Sequence, residues 1–504
     1  MALMLACTFL VASCNEDELI EDRLADNPID LPVGSGDPGS LDLSNYVALG
    51  NSLTAGFMDF ALYDRGQAAA FPNLLAQQFA FPGVGGGDFD QPDINSANGF
   101  NSAFSDLANG VIAGRTELSL SQRAPLATAG ELPSAYAGDK TALNNFGVPG
   151  ILLGQLLTPA TGTPGDPIEN GLYTRFATAP GTSTILGDAI ATSPTFFSLW
   201  IGNNDVLAYA TSGGAGPVPI TDAATFQAQY SAVIQQLAAT GSKGVVLNIP
   251  PVLLIPFFRA VAWNALPLDE ANAGALNAAY ADYNGGLQLA LANMLITAEE
   301  AERRTINFSA TTGGPFVMED ENLTDLSGLG LPNLRLTEAT DLVPFTTAAA
   351  LGAGVGTSTP AADQFILTFE EQVEIITAVA TYNAIIDGIV DGTNAAAGET
   401  IIAKFDIQPL FSDIAGLDAA QATQLALTPA AIAASDGTIG LVVDGVNYAP
   451  DFSPAGIFST DGVHPNPKGH AILTNQLIQT LNATFGATIP ELDVLAFPTV
   501  TTTN

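Results

Sequence analysis

Short, nearly continuous apolar runs recur along the chain and are separated by polar or glycine-rich turns. The clearest are Asn45–Gly50, Thr195–Ile201 and Gly244–Ile249. Runs of this length without polar alternation are typical of strands that are buried on both faces, as in a parallel sheet covered by helices. The pattern therefore predicts an α/β fold with a central parallel sheet, whose ligand site lies at the carboxyl ends of the strands.

Apolar residues at helical spacing follow these runs. They predict long helices over Leu268–Ala298 and Phe369–Val390 and a terminal helix over Gly469–Asn482. A shorter helix is predicted to start at Phe71, soon after the first apolar run. Alternation of strands and helices is the order expected of a sheet with helices on both faces.

Parts of the chain carry no clear periodicity. Three such segments are rich in Gly, Asn, Ala and Thr: 82–140, 305–365 and 392–455. We interpret them as insertions into a single domain over 41–490, because the candidate reactive residues described below bracket them. Residues 491–504 are predicted to form a polar C-terminal tail.

The first 14 residues form an apolar segment. It is too short to span a bilayer as a permanent helix, and it is typical of the hydrophobic part of an export signal. The tetrapeptide Val11–Cys14 resembles a bacterial lipobox, which predicts lipidation of Cys14, although the positive charge that usually precedes such a run is missing. An ordinary short signal peptide and a plain apolar N-terminus are the alternatives.

An acidic segment follows Cys14. Residues 15–40 contain eight acidic residues, three prolines and three glycines, with no sustained apolar period, which predicts a disordered tether. An acidic run in this position resembles the surface-export signals of Bacteroidota lipoproteins, although a solvated linker has the same composition. We expect an exported protein held at the bacterial outer membrane only by its N-terminal lipid.

The charge and the cysteine content exclude several classes of function. The chain has 51 acidic and 13 basic residues, a net charge of −38 at pH 7, so most of its surface would repel nucleic acid. Cys7 and Cys14 are the only cysteines, and both lie in the apolar start, which leaves no Cys/His zinc set. Asp88, Asp90 and Asp93 lack the EF-hand spacing, so a solvated loop is favoured over a calcium site. We predict no cofactor and no metal.

Candidate residues for acyl transfer lie near both ends of the domain. The chain has two histidines, His464 and His470, so few side chains can act as a general base near neutral pH. Asp461 precedes His464 by three residues, close enough in a turn to bond one ring nitrogen. Ser52 follows the first apolar run in a glycine-flanked turn, where its hydroxyl would lie at the edge of the sheet. His470 is expected to be a packing or hydrogen-bonding residue.

Structural alternatives exist for each candidate. Ser52 could cap a helix, Asp461 could belong to a plain Asp-Gly turn, and His464 could be a surface residue. Four separated blocks weigh against this: Gly50–Leu53, Gly147–Gly150, Gly202–Asp205 and Asp461–His464. In order and context they resemble the SGNH, or GDSL-type, esterase and lipase family, from about residue 45 to the terminal helix. The resemblance implies a three-layer α/β/α, flavodoxin-like fold.

The resemblance also implies roles for individual residues. They are the nucleophile Ser52, the oxyanion donors Gly150 and Asn204 together with the Ser52 backbone N–H, the orienting carboxylate Asp461 and the base His464. Gly147 is a second candidate for the glycine donor. Asn51 departs from the family's usual Asp, which puts in doubt a role for a charge beside the nucleophile.

The expected function is hydrolysis of carboxylic esters of small molecules or lipids through an acyl-enzyme on Ser52. The apolar segment Val252–Phe258 could line an acyl pocket or simply be a buried strand exit. A carbohydrate O-acyl esterase is one alternative. Another is a surface lipoprotein that binds glycan or protein on the same fold without turnover.

Overall fold

The computed structural model describes residues 35–417 and 440–504. Cys14 and most of the predicted tether lie outside the described residues, so lipidation and export stay predictions from the sequence. Leu41 and Leu43 are buried in the main hydrophobic core. That core therefore takes in the chain from Leu41 onward.

Five parallel strands form the central sheet. They are β1 (Tyr46–Gly50), β2 (Asn145–Gly147), β3 (Phe196–Trp200), β4 (Lys243–Leu247) and β5 (Ile402–Phe405). Their order across the sheet is β5-β4-β3-β1-β2, and every residue of β1 and β3 is buried. The parallel sheet predicted from the apolar runs is confirmed, and the three predicted strands are β1, β3 and β4.

The chain changes direction across the sheet between β1 and β3. After β1 it continues to β2 on one side, and it then returns to form β3 on the other side of β1. At such a switch point the loops after the two strands separate and leave a crevice at the carboxyl edge, where open parallel sheets bind ligands. Ser52 follows β1 and Asn204 follows β3, so both lie at this crevice.

Helices cover both faces of the sheet. On one face, Phe71–Phe79 packs against the terminal helix Pro467–Phe485. On the other face, Ala223–Ala238 packs against Ile185–Ala191 and Phe369–Ala397. The result is the three-layer α/β/α fold that the resemblance implies.

The helix Phe369–Ala397 is long and apolar enough, by length and composition, to cross a membrane. Thr368 and Glu371 form a capping box at its start. Its buried apolar residues recur every three or four positions: Ile375, Val379, Tyr382, Ile386 and Val390. This spacing of buried positions is the pattern of an amphipathic helix that covers a sheet.

The prediction of one continuous helix over Leu268–Ala298 is wrong. The chain forms two helices there, Glu270–Ala279 and Ala281–Ala292. The break is at Tyr280, where the backbone leaves helical values (φ −93°, ψ 4°). The Tyr280 hydroxyl donates to the carbonyl of Thr357 at 2.7 Å, so tertiary contacts override the local helical pattern.

A second hydrophobic core lies within residues 266–366 and includes much of the predicted insertion 305–365. Two small antiparallel sheets contribute to it, Leu266–Leu268 with Thr311–Gly314 and Val317–Glu319 with Leu334–Leu336. Arg335 is fully buried beside this core and donates to the carboxylates of Asp320 and Asp341. Both partners are needed there, because a buried guanidinium without counter-charges strongly destabilises a fold.

The predicted insertion 82–140 contains an antiparallel hairpin, Ala113–Ser119 with Ala124–Ala129. Thr502–Thr503, within the segment predicted as a polar tail, pairs with the first of these strands as a parallel neighbour. The C-terminal segment is therefore part of a three-stranded sheet and not only a solvated tail.

The predicted bounds 392–455 of the third insertion are too wide. They include β5, which is an edge strand of the central sheet. One of the four residues of β5 is the charged Lys404, whose side chain pairs with Asp391 at 2.9 Å. A charge in so short a run breaks the apolar pattern, as is common on edge strands.

The remaining strands form one hairpin, Leu441–Val443 with Val446–Tyr448. The remaining α-helices of the described residues are Ser52–Ala55, Asp64–Ala69, Gly171–Thr174, Asn204–Thr211, Ala298–Arg304, Thr347–Gly352 and Gln408–Ile414.

His470 lies in the first turns of the terminal helix and is fully buried. Neither ring nitrogen has a hydrogen-bond partner among the described residues. His470 was expected to be a packing or a hydrogen-bonding residue, and the structure shows the packing role. Burial lowers the pKa of His470 to about 3, with the neighbouring His464 acting in the same direction. The imidazole is therefore neutral in the folded protein at any mildly acidic pH.

We expect the variant His470→Leu to lose less stability in mild acid than the wild-type protein. The unfolded chain takes up a proton near the ordinary histidine pKa of about 6.5, whereas the folded chain does so only near 3. The free energy of unfolding therefore falls as pH drops through this window. Between pH 7 and pH 5, denaturant unfolding should show the wild type losing roughly 2 kcal/mol more than the variant. Equal losses would show that His470 is not held neutral.

Candidate active site

Ser52 is the first residue of a one-turn helix, Ser52–Ala55, that begins where β1 ends. Gly50 is required before it, because a Cβ there would collide with the Thr54 hydroxyl and the Trp200 carbonyl. Asn51 caps the turn, and its side-chain oxygen accepts the N–H of Leu53 at 3.0 Å. An amide oxygen performs this capping as a carboxylate would, so the residue that departs from the family pattern still fits its place.

The three residues predicted for nucleophile, base and orienting group lie in one chain of hydrogen bonds. Ser52 Oγ is 2.8 Å from His464 Nε2, and His464 Nδ1 is 2.9 Å from Asp461 Oδ2. All three side chains are buried or nearly so. The imidazole can therefore take a proton from the serine on one side while the carboxylate fixes the proton on the other nitrogen.

The Asp461 carboxylate is held by several donors at once. Its Oδ1 accepts the backbone N–H groups of Val463 and His464, at 2.8 and 2.9 Å. Burial alone would raise the pKa of Asp461, but the charge and hydrogen bonds of His464 and the N–H of Val463 outweigh it and hold the pKa below its ordinary value. Asp461 therefore stays ionised and orients the ring.

A second carboxylate, Asp59, fastens the loop that carries His464. Asp59 Oδ1 accepts both the backbone N–H and the hydroxyl of Thr460, at 2.9 and 2.7 Å. In return, the N–H of Asp59 donates to Ser459 Oγ, and the N–H of Phe60 donates to Asp461 Oδ2 at 3.2 Å. Asp59 and Phe60 both have left-handed backbone angles, φ 54° and 64°, so strained backbone aims these two N–H groups at the loop.

Asp59 is itself almost fully buried, and its other oxygen accepts the hydroxyl of Tyr63 at 2.7 Å. Burial raises the pKa of Asp59, and the nearby Asp461 adds to the rise, while the donors oppose it. Sequence reasoning missed this residue. The only signal for it was an isolated acid in the apolar run Phe57–Phe60, since buried carboxylates are rare unless they have partners.

The choice between the two glycine candidates for an oxyanion donor follows from their partners. The N–H of Gly147 donates to Asn145 Oδ1 at 2.8 Å inside the sheet. Gly150 is exposed and has φ 80°, a conformation that favours glycine, and nothing lies within 4 Å of an added Cβ. The Gly147 N–H is therefore already engaged, and Gly150 is kept as the predicted oxyanion donor.

Asn204 begins the helix Asn204–Thr211 and donates one amide hydrogen to the carbonyl of Ile151 at 2.8 Å. A primary amide has a second hydrogen, which is the one required for an oxyanion. Asp205 ties the same region together, since its carboxylate accepts the N–H of Leu153 and the hydroxyl of Thr221, both at 2.8 Å. Burial raises the pKa of Asp205 to about 6. These contacts hold the loop after β3 against the segment that follows Gly150.

An apolar cavity of about 70 Å³ opens beside Ser52 and His464. Val252 and Ile255 of the predicted apolar segment line it, together with three residues of the helix Gln408–Ile414 that sequence reasoning did not include. The aliphatic and aromatic residues around the cavity are Leu53, Trp200, Leu207, Val252, Ile255, Ile407, Leu410, Phe411, Ile414, Ile457, Phe458, Val463, Ile472 and Leu473. Such a lining suits a hydrocarbon group bound next to the serine.

The residues that could hold a metal ion lie outside the cavity at Ser52. In the loop around Asp88, Asp90 and Asp93, backbone groups serve structural contacts, such as the Asp93 carbonyl that accepts from Arg175 at 2.7 Å. Among the described residues, the carboxylates that lie close enough together for a cation belong to Glu321, Asp363 and Glu371, and none of these lines the cavity at Ser52.

The sequence was compared with known proteins and with models of protein families. No curated protein matches the sequence at a significant level. A family model described as GDSL-like Lipase/Acylhydrolase matches residues 46–477, which run from β1 into the terminal helix and include all the candidate site residues. Because the match covers most of the chain and agrees with the observed fold, the chain belongs to the GDSL-like lipase/acylhydrolase family, a family of ester hydrolases.

Proposed function

We propose that the protein hydrolyses carboxylic esters with an apolar acyl group through an acyl-enzyme on Ser52. The observation that carries this proposal is the continuous hydrogen-bonded chain from Ser52 through His464 to Asp461, at the mouth of an apolar cavity. The family supports ester hydrolysis in general, and the cavity supports the choice of acyl group.

In the first half-reaction, Ser52 Oγ attacks the ester carbonyl as its proton passes to His464 Nε2. The negative charge that forms on the carbonyl oxygen is met by the backbone N–H groups of Ser52 and Gly150 and by the amide of Asn204. The tetrahedral intermediate then expels the alkoxide, which takes the proton from His464 and leaves as the alcohol. Ser52 is left as an acyl ester.

In the second half-reaction, His464 removes a proton from water, and the resulting hydroxide attacks the acyl carbon. Collapse of the second intermediate returns the proton to Ser52 and releases the carboxylic acid. Asp461 stays ionised throughout and stabilises the imidazolium that forms in each half-reaction.

The cavity, at about 70 Å³, favours an acyl group with a few methylenes over an acetyl group. Each methylene that leaves water for an apolar site contributes about 0.8 kcal/mol. An acetylated glycan would leave most of the aliphatic lining without a partner, so the carbohydrate esterase is the less favoured substrate class. The binding protein without turnover is also less favoured, because it would have no use for a serine within 2.8 Å of an oriented imidazole.

Ser52→Ala should abolish the hydrolysis of p-nitrophenyl esters by residues 35–504, with a loss of at least about 10³-fold in kcat. The alanine removes the attacking oxygen and leaves the fold intact. His470→Leu serves as the control and should keep wild-type activity, because His470 lies outside the hydrogen-bonded chain. Hydrolysis that survives Ser52→Ala at the wild-type rate would exclude the proposed nucleophile.

Leu410→Trp should shift the acyl preference toward short esters. Leu410 lines the cavity from the helix Gln408–Ile414, so a larger ring there occupies space proposed for the acyl chain. We expect kcat/KM for a butanoyl ester to fall about 10-fold relative to the acetyl ester, since its two additional methylenes account for that factor. Leu289→Trp, at a position 67% exposed, is the matched control and should leave the ratio unchanged. An unchanged ratio in Leu410→Trp would remove the cavity from substrate binding.

Asp59→Asn should lower kcat with little effect on KM. Asparagine keeps the size but places an N–H₂ group against either Thr460 or Tyr63, so the loop that carries His464 loses its fixed position. A displacement of this kind can reduce the rate by up to about 100-fold. Asp64→Asn is the control, because its carboxylate accepts the N–H of Ser96 outside the active site. Equal kcat values for the two variants would show that the Asp59 contact does not position the base.

A further inference from the structure

Three carboxylates from distant parts of the chain meet away from Ser52. Glu321 follows the strand Val317–Glu319, Asp363 begins the short turn Asp363–Phe365, and Glu371 lies in the first turn of the helix Phe369–Ala397. Each offers an oxygen within 4.8 Å of those of the other two. The three arginines within residues 266–366, Arg303, Arg304 and Arg335, form their ion pairs with other acids.

Glu371 supplies an observation that is independent of this clustering. It is only 3% exposed, and its Oε2 accepts the N–H and the hydroxyl of Thr368 at 2.7 and 2.8 Å. Its Oε1 is buried and has no hydrogen-bond partner among the described residues, and the same holds for Asp363 Oδ1. These two buried carboxylate oxygens without hydrogen-bond donors therefore belong to residues whose carboxylates lie within 4.8 Å of each other, where a cation would satisfy them.

The surrounding backbone is shaped to fit these carboxylates. Gly213 and Gly214 follow the helix Asn204–Thr211 and have φ values of 60° and 77°. A Cβ on Gly214 would collide with Glu371 Oε1, and a Cβ on Gly213 would lie 2.5 Å from the carbonyl oxygen of Asp363. Glycine at both positions therefore leaves the carboxylates room to meet.

We propose that Glu321, Asp363 and Glu371 bind a calcium ion. The donor set is made of oxygen alone, which suits a hard cation and does not suit zinc or copper. Calcium accepts irregular arrangements of six to eight oxygens, whereas magnesium demands a near-ideal octahedron. Carboxylates from three different elements, one of them exposed to solvent, fit the more tolerant ion.

Burial and mutual proximity both disfavour the ionised forms of these carboxylates. Burial, with the neighbouring acids, raises the pKa of Glu371 to about 8 and that of Asp363 to about 7.

The position of the site determines what the ion would do. Glu321 belongs to the subdomain of the second core, and Glu371 belongs to a helix that covers the central sheet. Gly213 and Gly214 close the helix that begins with Asn204. An ion bound here would join the second core to the sheet layer, so it should stabilise the fold and not take part in the chemistry at Ser52.

The test is calcium titration of protein that has first been treated with EDTA and dialysed, followed by calorimetry and by thermal unfolding at constant ionic strength. We expect one calcium per chain and a rise in Tm of at least about 2 °C at saturation, with a smaller rise for magnesium at the same concentration. The absence of both binding heat and a Tm shift overturns the proposal.

Glu321→Gln is the first variant, because Glu321 is exposed and its replacement should leave the fold unchanged. It should weaken calcium binding at least about 10-fold. Glu371→Gln, which keeps an acceptor for Thr368, should remove the Tm response as well. Glu370→Gln is the matched control, since Glu370 is the exposed neighbour of Glu371 and lies outside the cluster. An equal calcium response in Glu321→Gln and Glu370→Gln would assign the effect to general screening of an acidic surface and refute the site.

Discussion

The active site depends on one contact between two segments that lie about 400 residues apart in the sequence. The turn around Asp59 and Phe60 meets the loop 459–464 through four hydrogen bonds, and that loop carries both Asp461 and His464. The sheet fixes Ser52 independently, since β1 delivers it to the carboxyl edge. Ser52 and His464 lie on separate elements, so their distance of 2.8 Å depends on contacts that join those elements. The hydrogen bonds of the buried Asp59 to Thr460 are such contacts.

The two hydrophobic cores serve different ends. The main core holds the sheet and its two helical layers, and it places Ser52 and Asn204 at the switch point between β1 and β3. The second core gathers residues 266–366 around their own helices and short strands. The two meet where the helix Phe369–Ala397 begins, in the region of the carboxylates of Glu321, Asp363 and Glu371. A cation bound at that junction would offset the unfavourable burial of these carboxylates next to one another.

The sequence predicted the features that depend on local pattern. The strands β1, β3 and β4 are apolar runs, and Asp461 and His464 are three residues apart, so a turn alone brings them into contact. The fold and the family followed from four short blocks and are confirmed. Other features depend on contacts between distant residues. Asp59, the break at Tyr280 and the edge strand β5 follow from tertiary packing, and no window of the sequence contains the partners that explain them.

The pairing of Thr502–Thr503 with the strand Ala113–Ser119 bears on the order in which the molecule is completed. Ribosomes deliver Ser52 first, and His464 emerges only after a further 412 residues. The strand that pairs with Thr502–Thr503 also carries Thr116, whose hydroxyl lies 2.6 Å from that of Thr460 beside Asp59. A nascent chain therefore contains its nucleophile without a base to activate it while the residues between Ser52 and His464 are being made. The proposed hydrolase stays inert until the loop that carries Asp461 and His464 has been made and has packed against the turn around Asp59.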